Sequence, residues 1–247
     1  MKALKWIAIV LGVVILIAVL VIGWLGFLPG LSRYIGPNPR DLGVELTFEH
    51  ARAAAEAHNM PTTVSDLETI LADPEVAKQF DTVLTSDQAS SLLLTGQESI
   101  PNWPLRFTQI RFNDDGTSEA SGVIRSSLVR PFLGDMGVPA GDIDTALGRV
   151  PIRGDVVFYA SGSCGVQSNT VDLSLSQVKI GRLTVPGGWY QGKEAEGTKY
   201  IDGALAGNGF QVDALEVSGG TVHVKGTRPL ASMEPWLHIV SNDRGEE

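Results

Sequence analysis

The chain contains one cysteine, Cys164, in 247 residues. No intramolecular disulfide can form, so the fold must be held by its core. Basic residues are also scarce: 19 Lys and Arg stand against 28 Asp and Glu, a net charge of −9. Nucleic acid is recognised by clustered Lys and Arg, so a surface of this balance excludes it as a partner. There are four histidines, His50, His58, His223 and His238. None has another at the i, i+4 spacing of a helical metal pair, and they read as incidental.

Catalytic signatures are missing too. Gly162-Ser163-Cys164-Gly165 does not form the G-x-S-x-G elbow of a serine nucleophile. Gly203, Gly207 and Gly209 neither follow a strand nor open a helix, as a dinucleotide fingerprint must, and no phosphate-cradling loop is found. Asp114 and Asp115 sit in Asn-Asp-Asp-Gly, which has the residue types of a turn and lacks the further oxygens of a calcium loop. Asp142 and Asp144 read as a helix start. Cys164 lies in SGSCG as a loop or strand-end residue with no nearby His or basic cluster to activate it. The sequence therefore offers no catalytic residue, no metal ligand and no cofactor site.

One segment is rich in what the rest lacks. Residues 6–28, WIAIVLGVVILIAVLVIGWLGFL, carry no charge; as a helix they would extend about 34 Å, enough for a hydrocarbon core of about 30 Å. The run is longer than the apolar region of a signal peptide, and no A-x-A cleavage pattern follows it. These features predict a retained transmembrane anchor, with Trp6 and Trp24 near its ends. Lys2 and Lys5 precede the run while Arg33 and Arg40 follow it, so the positive-inside rule alone barely decides the orientation. A five-residue tail inside and the acidic remainder outside is the expected arrangement. The reading is a single-pass cell-membrane protein with a cytoplasmic tail (1–5), an anchor (6–28), a Gly- and Pro-rich tether (29–46), an extracytoplasmic domain (47–240) and a frayed tail (241–247).

Within the domain, Thr47 is the expected N-cap of the Ala-rich helix FEHARAAAEAHNM, ended by Asn59 and Pro61. Ser65 with Glu68, and Thr85 with Gln88, form capping boxes. The second opens SDQASSLLLTG, with Gly96 as its stop, and QFDTVL before it reads as a short strand. From Pro101 onward the pattern is β. Hairpins are expected around Asn113–Gly116 and Ser218–Gly220, and between VPIRGDVVFYASG and VDLSLSQVKIGRLTVP with SGSCGVQSNT as the connection. Helical segments are expected in PFLGDMGVPAGDIDTALGR and GKEAEGTKYIDGALAGN, the latter capped by Gly207 or Asn208.

The stretch VDLSLSQVKIGRLTVPGGWY, residues 171–190, keeps Val171, Leu173 and Leu175 on one face. Val178 and Ile180 continue after one slip of phase, Leu183 and Val185 after another. Each slip sends the apolar set to the wrong face unless a β-bulge absorbs it. Bulges are therefore predicted near Ser176-Gln177 and at Gly181, which bend the strand. The fold class is accordingly α+β: a transmembrane helix followed by a domain with a curved, mainly antiparallel sheet and packed helices. Trp103, Trp189 and Tyr190 fall at element ends beside Pro or Gly, where rings cap a core edge or line a pocket mouth. With Leu183 and Val185 they form the candidate ligand-binding set, and Trp236 is expected to pack the last segment down.

The order DLGVELTFEHARAA, FDTVLTSDQASSLL, PLRFTQIRFNDDGTSEASGVI, VDLSLSQVKIGRLTVP and GFQVDALEVSGGTVHVKGTRP resembles bacterial single-span, membrane-anchored extracytoplasmic proteins of poorly defined role. Some relatives of that layout are regarded as phospholipid-binding proteins of the cell envelope. The resemblance implies a membrane location and a non-catalytic lipid or apolar ligand, and it brings no catalytic residues. Two alternatives stay open: an assembly or scaffold protein contacting an envelope protein partner, and an enzyme acting on envelope lipid or glycan.

Overall fold

The computed structural model describes residues 37–60, 79–99, 102–135, 137–148, 154–192, 194–207 and 209–229. The 6–28 run, the Ser65–Glu68 box, Pro61, Asn208 and Trp236 lie outside them. Among the described residues no helix is long and apolar enough to cross a membrane.

The elements in chain order are α1 (Phe48–Ala57), β1 (Gln79–Thr85), α2 (Ser86–Ser99), β2 (Leu105–Phe112), β3 (Ser118–Arg125), α3 (Ser126–Asp135), α4 (Ala140–Gly148), β4 (Asp155–Gln167), β5 (Thr170–Ile180), β6 (Leu183–Thr184), a single 3₁₀ turn (Gly187–Trp189), α5 (Glu194–Gly207), β7 (Gln211–Ser218) and β8 (Thr221–Thr227). The class is α+β, with a mainly antiparallel, open sheet ordered β1-β8-β7-β4-β3-β2 and with β5 and then β6 on the other side of β4. The 13-residue β4 is the spine. Its first half pairs with β3 and its last two residues, Val166 and Gln167, with β7, while β5 runs along its other edge. The β2–β3 and β7–β8 hairpins meet tip to tip, with Gly220 close to Asp114 and Phe112.

Local chemistry sets the element ends. Thr47 Oγ1 accepts from His50 N–H at 3.1 Å, and Asn59 takes a left-handed φ of 54° just past α1. Thr85 and Gln88 exchange both capping-box bonds, at 2.9 and 3.2 Å. Gly96 does not stop α2, which runs to Ser99. Helix α3 begins at Ser126, five residues ahead of the segment PFLGDMGVPAGDIDTALGR expected to be helical in part, and carries Pro131 inside it.

The β4–β5 connection also differs from expectation. SGSCGVQ continues β4, and the reversal is confined to Ser168 and Asn169, at φ 51° and 62°. Two consecutive left-handed residues match the twist of the flanking strands. Cys164 is thus mid-strand, paired with Leu173.

Both slips in the 171–190 stretch have physical causes, one of them a bulge. Ser161 pairs with Gln177 but Gly162 pairs with Leu175, so Ser176 is the extra residue. The second slip is a reversal. Lys179 pairs with Thr184 and Ile180 with Leu183, so Gly181 (φ 61°) and Arg182 form a two-residue hairpin turn. A bulge and a two-residue turn leave the same signature in the apolar pattern.

The helices and the N-terminal segment close parts of the sheet. From residue 37 the expected tether lies on it. Leu42 N–H donates to Gln109 Oε1 at 2.8 Å, and Leu42 and Val44 are buried against Tyr159. Helix α2 shields the edge of β2 with hydroxyls. Fully buried Ser90 accepts from Ile110 N–H (2.8 Å) and donates to Ile110 O (3.0 Å), and Ser86 Oγ accepts from Phe112 N–H. Ser90→Ala is expected to cost about 1–3 kcal/mol, because it strands a buried N–H and C=O together. Urea unfolding of the variant checks this.

Candidate functional site

Register sorts the side chains onto two faces. On one, Tyr159, Glu119, Gln109 and Arg111 lie under the N-terminal segment. Tyr159 Oη donates to Glu119 Oε1 at 2.9 Å, and the Arg40 guanidinium stacks 4.6 Å from the Tyr159 ring centre. Burial, and then the Glu119 carboxylate, push the Tyr159 phenol up, so it stays a donor.

The other face is almost wholly apolar. Cross-strand rows place Ile110, Ala120, Ala160 and Val178 in one line. Gly122, Phe158, Ile180 and Leu183 form the next, and Gly162 with Leu175, Cys164 with Leu173 and Val166 with Val171 follow toward the hairpin end. Because Ser176 is bulged out, Val171, Leu173, Leu175, Val178 and Ile180 all share this face. The Phe158 ring lies against Gly122, where a Cβ would come within 3.0 Å of it.

Three parts of this face are closed. Ala54 of α1 with Ala89 and Leu92 of α2 cover Leu84, Val222 and Val217. Leu205 of α5 packs with Val166, Val171 and Val212. At the far end Val156 is buried, and Trp103 meets Phe132 of α3 edge-on at 5.5 Å. Between these covers runs a strip that is not fully buried: Ile110, Ala120, Phe158, Ala160, Leu175, Val178 and Ile180 are each half-buried. Leu183 extends it at 44% exposure. Val185 N–H donates to Val178 O at 2.9 Å, which carries the β5–β6 pairing one residue further.

The five residues singled out from the sequence do not form one cluster. Leu183, Val185, Trp189 and Tyr190 gather along the β5–β6 edge, with Trp189 71% exposed. Trp103 precedes β2, four strand positions away, and packs on α3. Tyr190 has a structural bond: its hydroxyl donates to the carbonyl of bulged Ser176 at 3.2 Å. Sequence reasoning did not single out Phe158, Ala160, Val178 and Ile180 as site residues, although the period-two alternation of 171–180 was the signal for the last two.

Elsewhere the chemistry is quiet. Burial, and then Asp172, push the Cys164 thiol up, so it is a protonated and weak nucleophile. Asp81 lies between His223 Nε2 (2.6 Å) and Lys225 Nζ (2.9 Å), which hold its carboxyl below the usual range, but all three are exposed on the sheet surface. Among the described residues no group of three or more His, Cys, Asp or Glu is placed to hold a metal ion. No protein-family model, curated protein or solved structure matches this chain.

Proposed function

We propose that the chain is a membrane-anchored extracytoplasmic domain that binds a lipid or other apolar ligand on the uncovered strip of a curved sheet, and that it acts by binding rather than catalysis. The observation that carries this reading is the strip itself: a line of apolar side chains flanked by helices and left only partly buried. Curvature is supported by the bulge at Ser176, the hairpin at Gly181 and the sharing of one β4 edge by two hairpins. The strip from Ile110 to Val185 crosses five strand positions, or about 19 Å at 4.8 Å per strand. That length suits an acyl chain laid across the strands, which gains about 0.8 kcal/mol per CH₂ taken out of water. The uncharged 6–28 run supports an anchor, and Lys2 and Lys5 before it lean slightly to an inside N-terminus.

The test is a pair of charges placed in the strip. Val178→Asp with Ile180→Asp is expected to weaken binding of a phosphatidylcholine carrying a fluorescent acyl chain by tenfold or more, because each carboxylate must be desolvated by the chain. Both positions are only partly buried in the free protein, and circular dichroism verifies that the double variant is folded. Unchanged binding by a folded double variant would overturn the reading.

A further inference from the structure

We propose that the β5–β6 edge is the side of the domain that rests on the bilayer, with Trp189 and Leu183 seated among the lipid headgroups at the end of the apolar strip. Three observations converge on that corner. Trp189 is the most exposed large hydrophobic residue among the described ones, at 71%, and Leu183 on the same β5–β6 edge is 44% exposed. An indole ring gains most where one side is apolar and the other wet, which is the headgroup region. The basic residues Lys179 and Arg182 belong to this hairpin, Lys179 on the Tyr159 face, whereas the β2–β3 turn, on the other side of β4, carries Asp114 and Asp115. In a chain of net charge −9 these two basic residues give the corner a local attraction to an anionic surface.

The third observation is where the N-terminal segment joins the sheet. Arg40 packs on the Tyr159 ring, and Tyr159 pairs laterally with Lys179, which pairs with Thr184 of β6. The junction is therefore two strand spacings, about 10 Å, from the exposed edge. Only residues 29–36 separate the uncharged run from residue 37, a reach of at most about 30 Å. A domain tethered this closely meets the bilayer near its point of attachment. The inference rests on the proposed anchor and apolar strip, and it adds that a lipid would leave the bilayer at Leu183 and pass directly onto Ile180 and Val178.

The test uses the full chain in vesicles of phosphatidylcholine and phosphatidylglycerol. In a Cys164→Ala background, a spin label is placed by Trp189→Cys and, as a control in the exposed β7–β8 turn on the other side of β4, by Ser218→Cys. The accessibility of each label to oxygen and to a water-soluble nickel complex is then read. The expected result is an oxygen-to-nickel ratio at position 189 several times that at 218. Equal ratios overturn the docking proposal, whether or not the protein binds fluorescent lipid. A high ratio at 189 in a protein that binds no lipid upholds the docking and removes the strip as a ligand site, so the two readings fail separately.

Discussion

Replacing Gly162 by alanine is expected to lower the unfolding free energy by about 3 kcal/mol or more, at the upper end of what overpacking costs. Gly162 faces the bulge, where Ser176 is the extra residue, and the two strands approach too closely for a side chain. A Cβ there would fall on the Ser174 carbonyl, well inside contact distance, and within 3.0 Å of Leu175 Cα. Both obstacles are backbone, so no rotamer change relieves them. The bulge is also pinned by hydroxyls, since Ser176 Oγ donates to Ser161 O at 3.0 Å and Tyr190 holds the Ser176 carbonyl. Gly165→Ala, three residues along the same strand, is the control: its Cβ would meet only Leu215 O at 3.5 Å, an ordinary contact. Urea denaturation of both variants should separate them clearly. If the bulge forms as described, Gly162→Ala should also lose fluorescent-lipid binding, because a register shift turns Val178 and Ile180 to the other face.

The second large effect is a loss of stability in mild acid that depends on His58. This ring is buried at the end of α1, 5.7 Å from Phe80, and its Nδ1 has no hydrogen-bond partner. Arg228, buried beside it, donates to the backbone carbonyls of His58 and Asn59 and so satisfies the C-terminus of the helix. Burial, and then the Arg228 charge, lower the imidazole from 6.5 to about 4. Above pH 6.5 His58 is neutral in both states and adds no pH dependence. As the pH falls below 6.5 the unfolded chain takes up a proton that the folded one refuses, so stability declines until the folded pKa is reached. The loss over pH 6.5 to 4 amounts to roughly 3 kcal/mol. His58→Leu, which keeps the backbone carbonyl and packs on Phe80, should flatten the curve in that window. Asp81 and Asp115 act in a lower one. Their folded pKa values are depressed below 3.8, so the stability they give is present above that pH and is lost only as pH falls further. Urea midpoints measured from pH 7.5 to 3 for the two proteins would show the difference.

What could be read in advance was local. The Thr47 cap, the Thr85–Gln88 box, the Gly116 and Gly219-Gly220 turns and the bulge at Ser176 each depend on a few adjacent residues, and each is present. Gly181 was open to two readings because a bulge and a tight reversal shift the apolar phase alike. The strand through SGSCG was hidden by its small residues, which resemble a loop until β5 and β7 supply partners. Likewise, Gly96 and Pro131 are breakers by propensity, yet both fall within helices packed on the sheet. The His58–Arg228 pair joins residues from opposite ends of the domain, and no local pattern announces it. The candidate site was half legible: alternation put Leu183 and Val185 with the apolar set, but the opposing rows from β2, β3 and β4 follow only from pairing.

The most direct test of the central claim is native mass spectrometry of the full chain purified from membranes in detergent, compared with the Val178→Asp/Ile180→Asp variant, with extraction and identification of retained lipid. Annular lipid around an anchor would be common to both proteins, so the difference isolates the strip. The account predicts one lipid at defined stoichiometry on the parent chain and none at that stoichiometry on the variant. Equal lipid on both, or a clean apo mass after lipid is offered, would contradict it and make the strip a sparsely covered core.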